Sequence, residues 1–301
     1  MDRRVLDQAV RHCKVAPGRK LDLGKHPADW LPVEPRGDDH KAELKDRAED
    51  LLAESRKRLA EKQEILWANN AAAILVILQG LDAAGKDGIV EHVMGGVNPL
   101  GCQVSAFKAP NAEELDHDFL WRAARRLPER GQIGVFNRSY YEEVLVVRVH
   151  PEFLEAQKLP LPAGPKLWES RYDSIRDFER HLGANATVVL KFFLNVSKEE
   201  QAKRLIERID DPAKFWKFNA GDVTERDLWD DYRKAFEEVL PATATKAAPW
   251  YVIPADRKWF ARTLVAHILC ESIEGLNLTL PQPTAKDRAA MKAARRKLQK
   301  D

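Results

Sequence analysis

Residues 71–80 read AAAILVILQG, an apolar run that stops on a glycine, and residues 80–86 read GLDAAGK. A short run this rich in Ile, Leu and Val fits a strand buried on both faces, at the centre of a parallel sheet. Gly80, Gly85 and Lys86 then have the G-x-x-x-x-G-K spacing of a phosphate-binding loop. Such a turn aims backbone N–H groups at phosphate oxygens, and the helix that opens near Lys86 adds its positive dipole end. Gly80, Ala83, Ala84, Gly85, Asp87 and Gly88 are therefore candidates for phosphate or nucleotide binding. Lys86 supplies a mobile point charge.

The loop departs from the motif in one respect. After Lys86 the motif places a Ser or Thr hydroxyl on magnesium, whereas this chain has Asp87, and it adds Asp82 inside the loop. A carboxylate beside a phosphate is repulsive unless a cation lies between them. Asp82 thus reads as a magnesium ligand, with manganese as a substitute. Asp87 has two readings: a partner of metal-bound waters, or a carboxylate favoured by the helix N-terminus.

Two further stretches carry charge in a telling arrangement. Residues 135–150 (VFNRSYYEEVLVVRVH) follow a strand-like segment and place Asn137 where related loops bring an Asp to the metal. Arg138 can grip a phosphate bidentately. Glu142 lies about one helical turn on, as a second candidate metal ligand or a plain helix carboxylate. Arg148 reads either as a ligand contact or as a surface ion pair. Residues 204–222 pack Arg204, Arg208, Lys214 and Lys217 among Phe215, Trp216 and Phe218. Basic residues interleaved with aromatics suggest a lid that closes over an anion and excludes water.

Around these stretches strand and helix patterns alternate. Strands are expected near residues 103–108, 131–136, 186–196 and 250–254. Helices are expected over 40–69, over 111–127 behind an Asn111/Glu114 capping box, after a Ser197/Glu200 box, and from about Thr224. Alternation of this kind implies an α/β fold: a three-layer, doubly wound parallel sheet with ligands at the strands' carboxyl ends. The expected organisation is an N-terminal arm (1–39), a phosphate-loop domain (40–276) with a lid at about 204–222, and a basic C-terminal tail (277–301). The tail reads as a solvated helix, against the alternative of an anion anchor. A net charge of +2 over 301 residues argues against a nucleic-acid partner. Three scattered cysteines, no signal-like N-terminus and no run of about 18 apolar residues point to the cytoplasm and away from membranes.

The stretches GLDAAGKDG, NPLGCQVSAFKAPNAEELDHDFLWR, GVFNRSYYEEVLVVRVH, RIDDPAKFWKFNAGD and APWYVIPADRKWF together resemble the polyphosphate kinase 2 family, over about residues 15–276. The similarity is greatest to its class III members, which carry Asn at the second nucleotide motif. The resemblance implies a phosphate-loop kinase core with a helical lid, and reversible transfer of phosphate from inorganic polyphosphate to AMP and ADP with magnesium. It also implies a homodimer or homotetramer. Adenine nucleotides are the expected acceptors, with guanine nucleotides as further candidates. By the same resemblance Asp82, Lys86, Arg138, Arg204 and Arg208 serve metal and phosphates. Glu142 stands where ADP-preferring members have Asn, which favours AMP as an acceptor. A long polyanion also needs a basic track, for which Lys108, Arg122, Arg125, Arg126, Lys214 and Lys217 are candidates. Two alternatives remain: an ATP-dependent nucleoside monophosphate kinase, and a nucleotide-binding regulatory module without turnover.

Overall fold

The computed structural model describes residues 1–159 and 164–299. Its centre is a five-stranded sheet of β1 (Ala73–Gln79), β2 (Cys102–Ala106), β3 (Ile133–Asn137), β4 (Thr187–Asn195) and β5 (Trp250–Pro254), in the order β2-β3-β1-β4-β5. Every pairing is parallel. All seven residues of β1 are buried, as its uninterrupted apolar run requires. Ile74, Val76 and Leu78 face one core, whose other wall includes Leu59, Ile89 and Leu264. Leu75 and Ile77 face the second, with Tyr140, Ile175 and Phe236. Helices Asp38–Asn69 and Lys258–Glu274 thus cover one face, and Pro165–Ala184 and Trp229–Thr243 the other. This is the expected three-layer α/β arrangement.

The register places the functional ends side by side. Leu78 pairs with Asn137, so the loop after β1 and the turn after β3 leave the sheet together. The arm packs closely on the core: helix Arg3–Cys13 buries Leu6, Ala9 and Cys13, and the amide of Val15 donates to the carbonyl of Trp250 at 2.9 Å. At the far end, helix Ala285–Leu298 opens on a Thr284/Asp287 capping box and buries no residue. The last two residues of the predicted tail, 300 and 301, lie outside the described residues. Among the described residues no helix is long and apolar enough to cross a membrane.

Three local expectations need correction. The helix expected over 111–127 is two short turns, Ala112–Leu115 and Trp121–Ala124. The Asn111/Glu114 box forms, but the Asp118 side chain caps Leu120 at 2.9 Å and restarts the chain, as Asp does when it competes with helical bonds. At Ser197 only half the box forms: the hydroxyl accepts from Glu200 N, while the Glu200 carboxylate turns to Arg204. The helix expected from Thr224 starts at Trp229, after a 3-10 turn over Glu225–Leu228.

Candidate active site

The loop after β1 is shaped by backbone constraints. A Cβ on Gly80 would lie 3.0 Å from the carbonyl oxygen of Leu194, too close for any larger residue without a shift. Gly85 caps the helix Lys86–Val93 at φ +109°, open to glycine at little cost. Ala83 takes the left-handed region at φ 62° without that freedom. Lys86 is buried, and its Nζ donates to the carbonyls of Gly80 (2.6 Å) and Leu81 (3.0 Å). Burial and the nearby Arg138 pull its pKa down to about 8, against the opposing pull of Asp82, Glu142 and Asp87.

Arg204 meets this loop from below. Its Nε donates to Glu200 (2.8 Å), one terminal nitrogen to the carbonyls of Ala83 and Ala84, and the other to those of Ala255 and Asp256. All five N–H groups of the guanidinium have protein partners. The resemblance assigned Arg204 to phosphate; here it joins the loop to the β5 exit.

Arg138 follows β3 in the left-handed region, at φ 62°, with its amide on the carbonyl of Leu78 at 3.0 Å. Its guanidinium bridges Asp82 and Glu142, the latter at 2.8 Å. Burial alone would raise the Asp82 pKa, but Lys86, Arg138 and Arg208 outweigh it and hold the carboxyl below its usual range. Asp87 accepts from the Asn137 amide at 2.7 Å, so the two anomalous motif positions bond to each other. Among the described residues no three His, Cys, Asp or Glu side chains group to hold a metal by themselves.

These residues line a cavity of about 440 Å³ at the strands' carboxyl ends. Nine cationic side chains face it against four carboxylates, an imbalance that favours a polyanion. Of the sequence candidates, the loop residues from Asp82 to Gly88, Lys108, Asn137, Arg138, Arg204, Arg208, Lys214 and Lys217 meet there. Gly80 and Glu142 line a smaller adjoining recess with Asp82 and Arg138. Arg208 pairs with Asp222 at 2.8 Å, and Lys214 with Asp211 at 3.0 Å, so these cations are held within residues 204–222.

Other candidates lie elsewhere. Arg148 binds Tyr172 and Glu238 on the helix side, the ion-pair alternative. Arg122 is buried on the carbonyl of Lys108 at 2.8 Å and near Glu114. Arg125 lies over the Trp121 ring, and Arg126 is exposed; neither lines the cavity. Sequence reasoning missed Lys258 and Arg262, which line it from the helix after β5. Their i, i+4 spacing in KWFAR was the available signal.

A doubly wound parallel sheet, a phosphate loop at its switch point and a cation-rich cavity define a phosphate-loop protein of the kinase type. The chain belongs to the family described as Polyphosphate kinase 2 (PPK2), whose profile matches residues 42–281. It is 48% identical over 293 residues to an ADP-polyphosphate phosphotransferase of Rhodopseudomonas palustris, covering 97% of this chain and 99% of that one. It is 47% identical to an AMP/ADP-polyphosphate phosphotransferase of Meiothermus ruber, over 79% and 86% of the two chains. The fold is similar to the crystal structure of Polyphosphate Kinase 2 from Arthrobacter aurescens TC1, with a TM-score of 0.79, 41% identity, and 94% and 95% of the chains covered.

Proposed function

We propose that the chain transfers the terminal phosphate of inorganic polyphosphate to ADP and AMP, giving ATP and ADP, in a reversible reaction. The observation that carries this is the cavity: nine cations gathered from the loop, the β2 and β3 exits, the lid and the helix after β5. The names of the R. palustris and M. ruber relatives support the donor, and differ over the acceptor. An acceptor phosphate is already anionic at neutral pH, so no base is needed to create the nucleophile. Positioning and charge neutralisation then carry the transfer.

In this reading Lys86 and the loop amides hold the transferred phosphate, and Arg138 and Arg208 neutralise charge as it moves. Lys108, Lys214 and Lys217 receive the donor chain. Asp82 is ionised and has one oxygen outside the Arg138 pair, which suits a single bond to magnesium that enters with the phosphates. Magnesium, when bound, screens the phosphate oxygens and draws charge off the leaving group. The working unit is a cytoplasmic homo-oligomer.

Glu142 sets the acceptor, because its carboxylate disfavours the additional phosphate of ADP and suits the shorter AMP. The test is a matrix of donors (polyphosphate, ATP) against acceptors (AMP, ADP, GMP, GDP), run for wild type and Glu142→Asn. Polyphosphate activity with both AMP and ADP, and a larger loss on AMP in the variant, are expected. Activity with ATP alone as donor would make it an ordinary monophosphate kinase, and no turnover would leave a binding module.

A further inference from the structure

Beneath the turn that carries Arg138 and Glu142 lies a buried polar network that the proposed chemistry does not use. Lys191 on β4 and Glu179 on helix Pro165–Ala184 form an ion pair at 2.5 Å, with 0% and 1% of their side chains exposed. Lys191 Nζ also donates to Tyr141 Oη and to the carbonyl of Thr243, both at 2.9 Å. Glu179 Oε1 accepts from Tyr140 Oη and Tyr141 Oη, each at 2.8 Å. All three ammonium protons therefore have acceptors. Burial and the Glu179 carboxylate push both tyrosines well above their ordinary pKa, which keeps them hydroxyl donors.

A buried ion pair is a poor device for stability alone, because well-packed apolar residues of similar volume serve as well. Its place in the chain is more informative. Tyr140 and Tyr141 are two of the three residues between Arg138 and Glu142, the two groups that converge on the loop. The third, Ser139, accepts from Gln79 Nε2 and from the amide of Tyr141, each at 3.1 Å. Arg138 sits in the left-handed region at φ 62°, a conformation that persists only where the surroundings over-determine it. The tyrosines are the part of those surroundings with the deepest anchor: their rings also meet Phe178 and Trp250 edge-on.

We infer that Glu179 and Lys191 are positioning residues for phosphate transfer. They lock Tyr140 and Tyr141, and through them fix Arg138 and Glu142 against the loop. This rests on the reading of Arg138 as a residue of the transfer site. Neither side chain lines the cavity or its adjoining recess, so the expected effect is coupling to Arg138 rather than lost substrate binding.

The experiment is a double-mutant cycle on polyphosphate-dependent ATP formation from ADP. Tyr140→Phe/Tyr141→Phe removes only the hydroxyls, and Glu179→Leu/Lys191→Met removes the anchor while filling its volume. Each is made with Arg138 present and in an Arg138→Ala background. With Arg138 present, kcat should fall about 30-fold while KM for ADP moves less than about threefold, the pattern of misplacement rather than lost binding. In the Arg138→Ala background the same changes should cost only about twofold, since Glu142 alone is left to place. A folded variant with wild-type kcat, or an equal loss in both backgrounds, overturns the inference. Should the Glu179/Lys191 variant not fold, the hydroxyl deletions decide alone. Arg138→Ala by itself at near wild-type rates would instead overturn the reading of the site, and the inference with it.

Discussion

Replacing Arg204 with lysine separates two roles that its sequence position leaves equal. The charge is kept, so a phosphate-binding role would survive in part. The five-donor fork is lost, and an ammonium can satisfy at most three of the present acceptors. Four of those are carbonyls, of Ala83, Ala84, Ala255 and Asp256, at 2.6 to 3.1 Å, and the Arg204 side chain is 5% exposed. Losing at least two charge-assisted bonds at about 1.5–3 kcal/mol each, partly offset by entering water, gives a net destabilisation of about 3 kcal/mol. For a chain of 301 residues that lowers Tm by roughly 5 °C. The freed carbonyls belong to the turn held at Ala83 in the left-handed region, so the loop should also relax and kcat fall about 100-fold. Thermal unfolding and steady-state kinetics on the same preparation test both effects. An unchanged Tm with only a higher KM for polyphosphate would refute the bracing role and return Arg204 to the ligand.

Because the Lys86 pKa lies near 8, kcat/KM should decline as pH rises through about that value, when the free protein loses the Lys86 proton. A bound polyanion favours the ammonium, so the corresponding limb in kcat should lie at higher pH; pH profiles that are flat to pH 9.5 in kcat/KM would contradict this. Asp82→Asn should lower turnover by several powers of ten in saturating magnesium with the fold intact, as loss of transition-state charge stabilisation does. Near-normal rates would remove it from the mechanism. Truncation after Thr284 removes a helix with no buried residue, so Tm and activity on short polyphosphate should not change. Selective loss of affinity for long chains at low salt would make the tail an anion anchor.

What could be read from the sequence was local. The β1 run and the Gly80, Gly85, Lys86 spacing lie within a few residues, and so does the Asn111/Glu114 box; each forms as expected. Distant partners were not legible. Arg148 resembled a site residue because Glu238, its partner, is 90 positions away. Lys258 and Arg262 reach the cavity only because β5 lies beside β4 and delivers the next helix to the loop. Arg204 and Arg208 looked like twins at i, i+4. Helix Lys198–Asp210 buries Gln201, Arg204 and Leu205 but frees its last turn, so one arginine points into the loop and the other reaches Asp222. A periodicity argument assigns both to one face, and only the depth of the contact along that face distinguishes them.

The two carboxylates in a phosphate cradle follow from the same geometry. Two unit charges about 4 Å apart interact by about 4 kcal/mol at the effective dielectric of a partly buried site, too much repulsion for an unpaired aspartate to impose on an incoming anion. Asp82 is charge-paired with Arg138, and Asp87 keeps its charge but is held by a hydrogen bond from Asn137. The Asn that departs from the usual motif is thus the residue that satisfies the Asp that also departs from it. An Asp at position 137 would face Asp87 at hydrogen-bond distance with no proton between them, so the two departures belong together. The Asp82–Arg138 pair has a further consequence. In the proposed reading, a phosphate that takes the guanidinium returns the full Asp82 charge to a cation at its other oxygen, so anion and cation binding would be linked through one side chain. Each should therefore tighten the other by the same factor, as reciprocal coupling between two ligands requires.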